Sequence, residues 1–313
     1  MHRRTLLKLL SAMARVGCER EQESPPGLRV VIAGAGIVGA SIAYHLAKRG
    51  ASVTVIDAVA PASHATGGTF AWINATWAKQ PRHYHSLTQE SVANWRDLDQ
   101  ELNLGIRWNG SIEWYEDTDR MARLEEQIAE QQAWGEDARM IAIADIAESE
   151  PNVNFGAAEQ VAFSGFDGAV DPITATRALL AAAANLGAKI HYPSELTDIV
   201  IRGGRLHAVV TAEGEVRADR LILATGASAD APQRFADCPI PQRSTPGVIV
   251  TTRPAPMLLN SIIAAPGAHL HQRSDRRIVL GEQAGAPQNE AHALRLTGRP
   301  NEFPAPQFAA EHA

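Results

Sequence analysis

The chain has 313 residues, of which 45% are hydrophobic, and it carries a formal net charge of −6. A chain of this length has room for two domains of about 100–200 residues. Its mild acidity argues against a nucleic-acid partner, because binding a phosphate backbone needs clustered positive charge. The sequence contains no apolar run of about 18 residues, so we predict no transmembrane helix.

The N-terminus reads "MHRRTLLKLLSAMARVGC". Arg3 and Arg4, followed by Thr-Leu-Leu-Lys, resemble a twin-arginine export signal. Arg15 interrupts the apolar stretch that should follow such a signal, which weakens this interpretation. We therefore predict a cytoplasmic protein and keep twin-arginine export to the periplasm as the alternative. Residues 1–27 are treated as leader and linker, outside the fold.

The stretch "VVIAGAGIVGASIAYHLAKRGASVTVID", Val30–Asp57, has the pattern strand, glycine-rich turn, helix and second strand. The first strand, predicted at 29–33, is nearly all apolar and is expected to be buried on both faces. The helix is predicted from 37 to 49 and ends at Gly50. The second strand is predicted at 52–56. This order of elements is typical of a dinucleotide-binding unit.

Gly34, Gly36 and Gly39 form the pattern G-x-G-x-x-G. The first glycine permits a tight turn, the second lets the backbone approach a pyrophosphate, and the third lets the helix pack closely on the sheet. Backbone N–H groups at the start of the helix then face the phosphates. Asp57 closes the second strand, where an acid accepts hydrogen bonds from ribose hydroxyls and disfavours the 2′-phosphate of NADP. The residues expected at the phosphates are Gly34, Ala35, Gly36, Ile37, Val38 and Gly39.

The remaining elements follow from periodicity, capping and turn residues. After a loop at 60–81 we predict a helix at 84–102, a strand pair at 106–117, helices at 119–134 and 145–150, a helix that begins at Asp171-Pro172 and ends at Gly187, short strands with turns at 203–204 and 213–214, a buried strand at 220–224, and further strands in "PGVIVTTRP" and "RRIVLGEQ".

The glycine pattern alone does not separate FAD from NAD, because both cofactors use it. A nicotinamide-binding domain would continue with alternating strands and helices. This chain instead enters a glycine-rich loop at 65–68 and returns to the same pattern only at about Asp171.

Four segments, in this order, resemble one family: "VVIAGAGIVGASIAYHLAKRGASVTVID", "ASHATGGTFAWINA", "AVDPITATRALLAAA" and "ADRLILATGASA". The family is that of the FAD-dependent amine oxidoreductases, which includes D-amino-acid oxidases and dehydrogenases, glycine oxidase and sarcosine oxidase. The resemblance covers about residues 29–281.

The resemblance implies an α/β fold with two domains. A Rossmann-like FAD-binding domain, with a parallel sheet and a short-stranded meander, would comprise residues 28–80 and 166–235. An inserted α+β substrate domain would comprise residues 81–165 and 236–285.

The resemblance also implies FAD as cofactor and a small amine or amino acid as substrate, oxidised by hydride transfer to the flavin. The electron acceptor is left open. No catalytic acid or base is expected, because the flavin performs the difficult step. Besides the residues at the phosphates and Asp57 at the ribose, the residues implied near the cofactor are Ala65, Thr66, Gly67, Gly68, Leu196, Ala224, Thr225 and Gly226.

Trp72 and His269 are predicted to line the substrate pocket. Trp72 follows the glycine-rich loop, and His269 lies on a predicted strand of the second domain. Two His-x-His pairs, at 83/85 and 269/271, are each expected on one strand face, but no third ligand has suitable spacing, so no metal site is predicted.

The family pattern ends with a segment that returns to the flavin and often supplies an arginine for a substrate carboxylate. "TGRPNEFP", Thr297–Pro304, matches the start of such a segment superficially, but no strand precedes it. We therefore interpret residues 286–313 as a polar tail and the chain as a C-terminally truncated member. Two alternatives stay open: a non-catalytic remnant that binds flavin weakly or not at all, and an NAD-dependent dehydrogenase.

Overall fold

A computed structural model describes residues 27–227, 230–241 and 248–282. The leader up to residue 26 and the polar tail lie outside these ranges. The helices in this part of the chain are α1 (Ile37–Lys48), α2 (Arg82–Leu102), α3 (Thr118–Ala133), α4 (Ile143–Ile146), α5 (Pro172–Asn185) and α6 (Asp230–Ala236). The strands are β1 (Arg29–Ala33), β2 (Ser52–Ile56), β3 (Trp72–Ile73), β4 (Ser111–Glu113), β5 (Ala138–Ala142), β6 (Gln160–Ser164), β7 (Gly168–Ala169), β8 (Lys189–His191), β9 (Asp198–Arg202), β10 (Arg205–Thr211), β11 (Gly214–Arg217), β12 (Arg220–Leu223), β13 (Ile249–Thr251), β14 (Ile262–Ala265), β15 (Ala268–Gln272) and β16 (Ile278–Glu282).

The glycine-rich unit forms the centre of a parallel sheet with the strand order β12–β1–β2–β8. Helices α1 and α5 pack together on one face of this sheet, where Ala40, Ala43 and Ala47 meet Leu179 and Ala183. These small residues allow close approach of the helices to the strands. Because both faces are covered, β1 is almost entirely apolar and buried. The predicted α/β class is confirmed.

The opposite face of the parallel sheet is covered by a three-stranded antiparallel meander in the order β11–β10–β9. Val209 of the meander packs against Val31 and Ile56 of the parallel sheet. The turns of the meander lie at the glycines predicted for them, and Gly203 and Gly204 both adopt positive φ there. The meander therefore completes the second hydrophobic layer.

A separate mixed sheet has the order β13–β16–β15–β14–β4–β6–β5. One face carries an apolar core built around Ile112, Trp114, Phe155 and Ile263. The other face approaches the glycine-rich loop: a Cβ added at Gly281 would lie 3.4 Å from the ring of Phe70. This sheet therefore stands beside the loop that leads out of the parallel sheet.

Three local predictions are wrong, each because a long-range contact decides the conformation. The helix predicted at 145–150 is instead the short helix α4, and the buried carboxylate of Glu150 accepts the N–H of Asn260 at 3.1 Å. The strand pair predicted at 106–117 reduces to β4, which pairs with β6 and β14 instead. The loop at 60–81 contains β3, which pairs with β7.

No helix in the described ranges is long and apolar enough to cross a membrane.

Candidate functional site

The turn between β1 and α1 is closely packed at its glycines. A Cβ on Gly34, which has φ of +111°, would lie 2.2 Å from the carbonyl oxygen of Ala224. A Cβ on Gly39 would lie 1.9 Å from the carbonyl oxygen of Gly34. Gly36 is the N-cap of α1 and offers no capping side chain. Gly36 therefore adds no side chain of its own in front of the first N–H groups of the helix.

Two polar side chains hold this turn in place. The N–H of Ile37 donates to Thr66 Oγ1 at 3.1 Å, which joins the start of α1 to the glycine-rich loop. Asp57 Oδ2 accepts the N–H of Ala35 at 2.7 Å, and its Oδ1 accepts the N–H of Val59 at 2.9 Å. The carboxylate at the end of β2 is thus fixed beside the turn, with lone pairs left on both oxygens.

A cavity of about 580 Å³ lies in front of this turn. The residues lining it that the sequence predicts at the cofactor are Gly34, Gly36, Ile37, Val38, Asp57, Ala65, Thr66, Ala224, Thr225 and Gly226. The structure therefore brings together three segments that are far apart in sequence: the turn, the glycine-rich loop and the end of β12.

The other residues predicted at the cofactor do not line this cavity. Ala35 is fully buried. Gly39 faces the turn from within α1, and Gly67 packs against Ala62, whose carbonyl oxygen would lie 2.4 Å from an added Cβ. Gly68 donates its N–H to the carbonyl oxygen of His64. Leu196 is buried in the apolar layer between the meander and the parallel sheet.

Sequence reasoning missed six of the lining residues, which are Ala62, Ser63, His64, Leu223, Ala227 and Ile240. The first three immediately precede the predicted loop segment, so an extension of that segment could have included them. Ile240 carries no local signal, because it reaches the cavity from the chain after α6.

A second cavity, of about 250 Å³, adjoins the first. Ile37 and Thr66 line both cavities. Trp72 lines the second cavity, and its ring stands at 86° to the imidazole of His269 with 5.8 Å between centroids. The two residues predicted for the substrate pocket are therefore in contact with each other, and Trp72 lines the second cavity.

Phe70 and His271 extend this aromatic group along β15. The Phe70 ring lies 4.7 Å from that of His271 and 5.9 Å from that of His269. His271 Nε2 lies 2.7 Å from the carbonyl oxygen of Phe70, and burial lowers the pKa of His271 to about 4. The imidazole is therefore neutral and donates from Nε2. This bond ties the glycine-rich loop to the mixed sheet.

Burial also lowers the pKa of His269, while the nearby charge of Glu113 acts in the opposite direction. Glu113 lies in the same row of the sheet, since it pairs with Ala264, which in turn pairs with His269. Trp77 and Tyr115 both donate hydrogen bonds to the Glu113 carboxylate. The Glu113 carboxylate is thus paired with two neighbouring donors.

The described residues contain no group of three or more acidic, histidine or cysteine side chains placed to hold a metal ion. The histidine pair at 83/85 lies on α2 rather than on a strand, which corrects the sequence interpretation. His85 is buried and its Nε2 lies 2.8 Å from Glu136, whereas His83 is exposed.

Known proteins resemble this chain over most of its length. Human mitochondrial dimethylglycine dehydrogenase is 28% identical over 229 residues, which are 67% of this chain and 25% of that protein. The uncharacterized oxidoreductase YurR of Bacillus subtilis is 32% identical over 64% of this chain and 55% of its own length. The chain thus spans about a quarter to a half of the length of these relatives.

Among solved structures, glycine oxidase from Bacillus cereus superposes with a TM-score of 0.71 at 26% identity, covering 81% of this chain and 70% of that one. L-proline dehydrogenase from P. horikoshii superposes with a TM-score of 0.72 at 24% identity, which shows a shared fold. The family model described as "FAD dependent oxidoreductase" matches residues 29–308. Since this match takes in nearly the whole chain, the protein belongs to the family of FAD-dependent oxidoreductases.

Proposed function

We propose that this chain uses FAD to oxidise a small amine or amino acid at the carbon beside its nitrogen. The observation that carries the proposal is a pair of adjoining cavities that share Ile37 and Thr66: the first lies at the glycine turn, and the second is lined by Trp72, whose ring contacts His269. The first cavity suits a dinucleotide, and the second has aromatic walls. Amine oxidation by dimethylglycine dehydrogenase and glycine oxidase, as their names state, supports the substrate class.

The residues of the first cavity suit FAD. The bare N-terminus of α1 provides N–H donors for a pyrophosphate, and an added Cβ at Gly36 would narrow the cradle. The Asp57 carboxylate is positioned for ribose hydroxyls. Ala224, Thr225 and Gly226 bring backbone to the cavity with small side chains. On this basis we propose that the residues predicted at the cofactor form its site, with Ala35, Gly39, Gly67, Gly68 and Leu196 supporting the residues that line the cavity.

Bound FAD supplies the acceptor for a hydride from the substrate carbon. The task of the chain is then to hold the substrate carbon in line and to exclude water. Trp72 and the neutral His269 form an apolar, uncharged wall that suits both tasks. We propose that residues 28–80 and 166–235 form the cofactor domain, and that 81–165 and 236–285 form the substrate domain.

The first test is the visible absorbance of the purified protein. The proposal expects a flavin spectrum that bleaches when a suitable amine or amino acid is added without oxygen. A colourless protein that takes up no added FAD would favour the non-catalytic remnant. Binding of NADH that FAD does not compete with would favour the NAD-dependent alternative.

A matched pair of variants tests the assigned cradle. Gly36→Ala places a methyl group between the start of α1 and the phosphates, so we expect it to lose most of its bound flavin. Gly165→Ala is the control, because its Cβ would make only an ordinary contact of 3.6 Å with Phe163, away from the cavity. Equal flavin content in the two variants would refute the assignment.

We propose that the protein works in the cytoplasm, with twin-arginine export as the alternative. Cell fractionation distinguishes the two locations. If the protein is exported, it should be found in the periplasm, and replacing both Arg3 and Arg4 by lysine should remove it from that fraction. If it is cytoplasmic, the wild-type protein and the double variant should both be found in the cytoplasmic fraction.

A further inference from the structure

A fully buried carboxylate lies between the mixed sheet and the two-stranded pair β3–β7. Asp167 sits between β6 and β7 and is 0% exposed. Its Oδ2 accepts three hydrogen bonds: from Trp72 Nε1 at 2.9 Å, Thr76 Oγ1 at 2.7 Å and Ser111 Oγ at 2.7 Å. These donors come from β3, from the chain after β3 and from β4. One oxygen atom therefore fixes the relative positions of three separate segments.

No cation is directly bonded to this carboxylate in the described part of the chain. Lys79 is the nearest favourable charge that acts on it, but its Nζ is bonded to Asn74 Oδ1 and to the carbonyl oxygen of Thr76. Burial raises the pKa of Asp167, and the hydrogen bonds from Ser111, Thr76 and Trp72 act against that shift. Apolar side chains could fill this buried position without burying a charge. The carboxylate differs from them in that its hydrogen bonds fix the orientation of the donor side chains.

Trp72 is the donor with a second contact of interest. Its indole nitrogen points to Asp167, and its ring meets the imidazole of His269 nearly at a right angle. Its backbone is held by pairing with Ala169, two residues after the same aspartate. A tryptophan side chain has two rotatable bonds, so a hydrogen bond at one edge and a ring contact at another determine its orientation.

We propose that Asp167 is a positioning residue, which holds the Trp72 indole as a fixed wall against the substrate. This inference rests on the proposed function, because it assigns the wall of the same pocket. Thr76 and Ser111 hold the carboxylate, and the carboxylate holds Trp72. Asp167 itself is buried and touches neither substrate nor cofactor in this arrangement.

Four variants separate positioning from general structural support. Asp167→Leu keeps the number of side-chain heavy atoms and removes the acceptor. Trp72→Phe removes the same hydrogen bond from the donor side, and serves if Asp167→Leu does not fold. Asp167→Asn keeps an amide oxygen that can replace Oδ2 and is the conservative rescue. Ser111→Ala is the control, since it removes another donor to the same oxygen and leaves the Trp72 bond intact.

The first readout is the indole N–H resonance of Trp72 in protein labelled with ¹⁵N-tryptophan, assigned by its loss in Trp72→Phe. This measurement needs no catalysis. We expect Asp167→Leu to shift this resonance and to speed its exchange with water. Asp167→Asn and Ser111→Ala should leave it near its original position. A folded Asp167→Leu protein with an unchanged resonance would overturn the inference.

The second readout is steady-state oxidation of the amine that bleaches the wild-type flavin. We expect Asp167→Leu and Trp72→Phe each to raise KM about tenfold at unchanged flavin content, and the double variant to be no worse than either single one. Additive effects, or a normal KM in folded Asp167→Leu, would refute positioning. A wild-type protein that oxidises no amine but shows the indole shift supports the Asp167–Trp72 contact and contradicts the proposed function.

Discussion

Gly39→Ala is a sharp test of the close packing at the turn. The added Cβ would lie 1.9 Å from the carbonyl oxygen of Gly34 and 3.4 Å from Ala224 Cβ. An ordinary contact between carbon and oxygen is about 3.3 Å, so the gap must widen by about 1.4 Å. Gly34 cannot move away from Gly39, because its N–H donates to the carbonyl oxygen of Ile56 and its Cα lies close to the carbonyl oxygen of Ala224.

The size of the effect follows from two opposing contributions. Overpacking of this kind costs about 3 kcal/mol, and alanine in place of a helical glycine returns about 1 kcal/mol. The net loss of about 2 kcal/mol corresponds to a fall in Tm of about 4–8 °C for a domain of this size.

The assay is thermal unfolding followed by circular dichroism on flavin-free protein, because bound ligand would itself raise Tm. Gly36→Ala is the matched comparison at the same turn. Its Cβ would meet only Thr66 Oγ1, at 3.1 Å, and a small shift of that hydroxyl relieves the contact while it still accepts the Ile37 N–H. We therefore expect Gly36→Ala to keep the wild-type Tm within about 2 °C while losing flavin. A Gly39→Ala protein with wild-type Tm would refute the packing argument.

Two further predictions concern the joint between the sheets. The folded state holds His271 neutral down to a pKa of about 4, whereas the unfolded chain protonates it below about 6.5, so its contribution is complete above pH 6.5 and is lost as the pH falls toward 4. In His271→Gln, the free energy of unfolding should therefore depend less on pH, by about 3 kcal/mol over that range. Urea titration at several pH values measures this dependence. His83→Gln, at an exposed histidine, is the control and should keep the wild-type dependence. Asp171 accepts the N–H of Thr174 at 2.7 Å as the N-cap of α5 and pairs with Arg273 at 3.0 Å. Asp171→Ala should lower the free energy of unfolding by about 1 kcal/mol through loss of the cap, and further because the largely buried Arg273 loses its partner. Asp171→Asn keeps the cap and should lose only the ion pair with Arg273. Equal thermal stability of the two variants would contradict this division.

The residues that line the first cavity were largely predictable from sequence. The spacing of Gly34, Gly36 and Gly39 encodes a turn whose packing needs all three, and Asp57 follows at the end of the next strand. The family resemblance added Thr66 and the segment after β12, which periodicity alone would not have joined to the turn. Trp72 and His269 were predicted for the pocket separately, and their direct contact became visible only in the structure.

Asp167 shows why the rest could not be predicted. In "SGFDGAVD" it looks like an ordinary turn residue, and none of the three donors to its Oδ2 is a neighbour in sequence. Only Ser164, which donates to Oδ1 at 3.5 Å, is close in sequence. Its importance arises because β3, β4 and the chain near Thr76 converge on it. Ile240 is a similar case, since only the path of the chain after α6 brings it to the cavity.

The sequence by itself determined the elements whose signals are local. The β1–turn–α1–β2 unit lies within one continuous stretch, and α5 begins where Asp171 caps it and Pro172 occupies its first turn. The tertiary structure decided the pairing of β3 with β7, the partners of β4 and the shortening of the helix predicted at 145–150. The physical reason is the distance along the chain over which each interaction acts. Caps, turns and periodicity act within a few residues, whereas hydrogen bonds such as those to Glu150 and Asp167 join segments that only folding brings together.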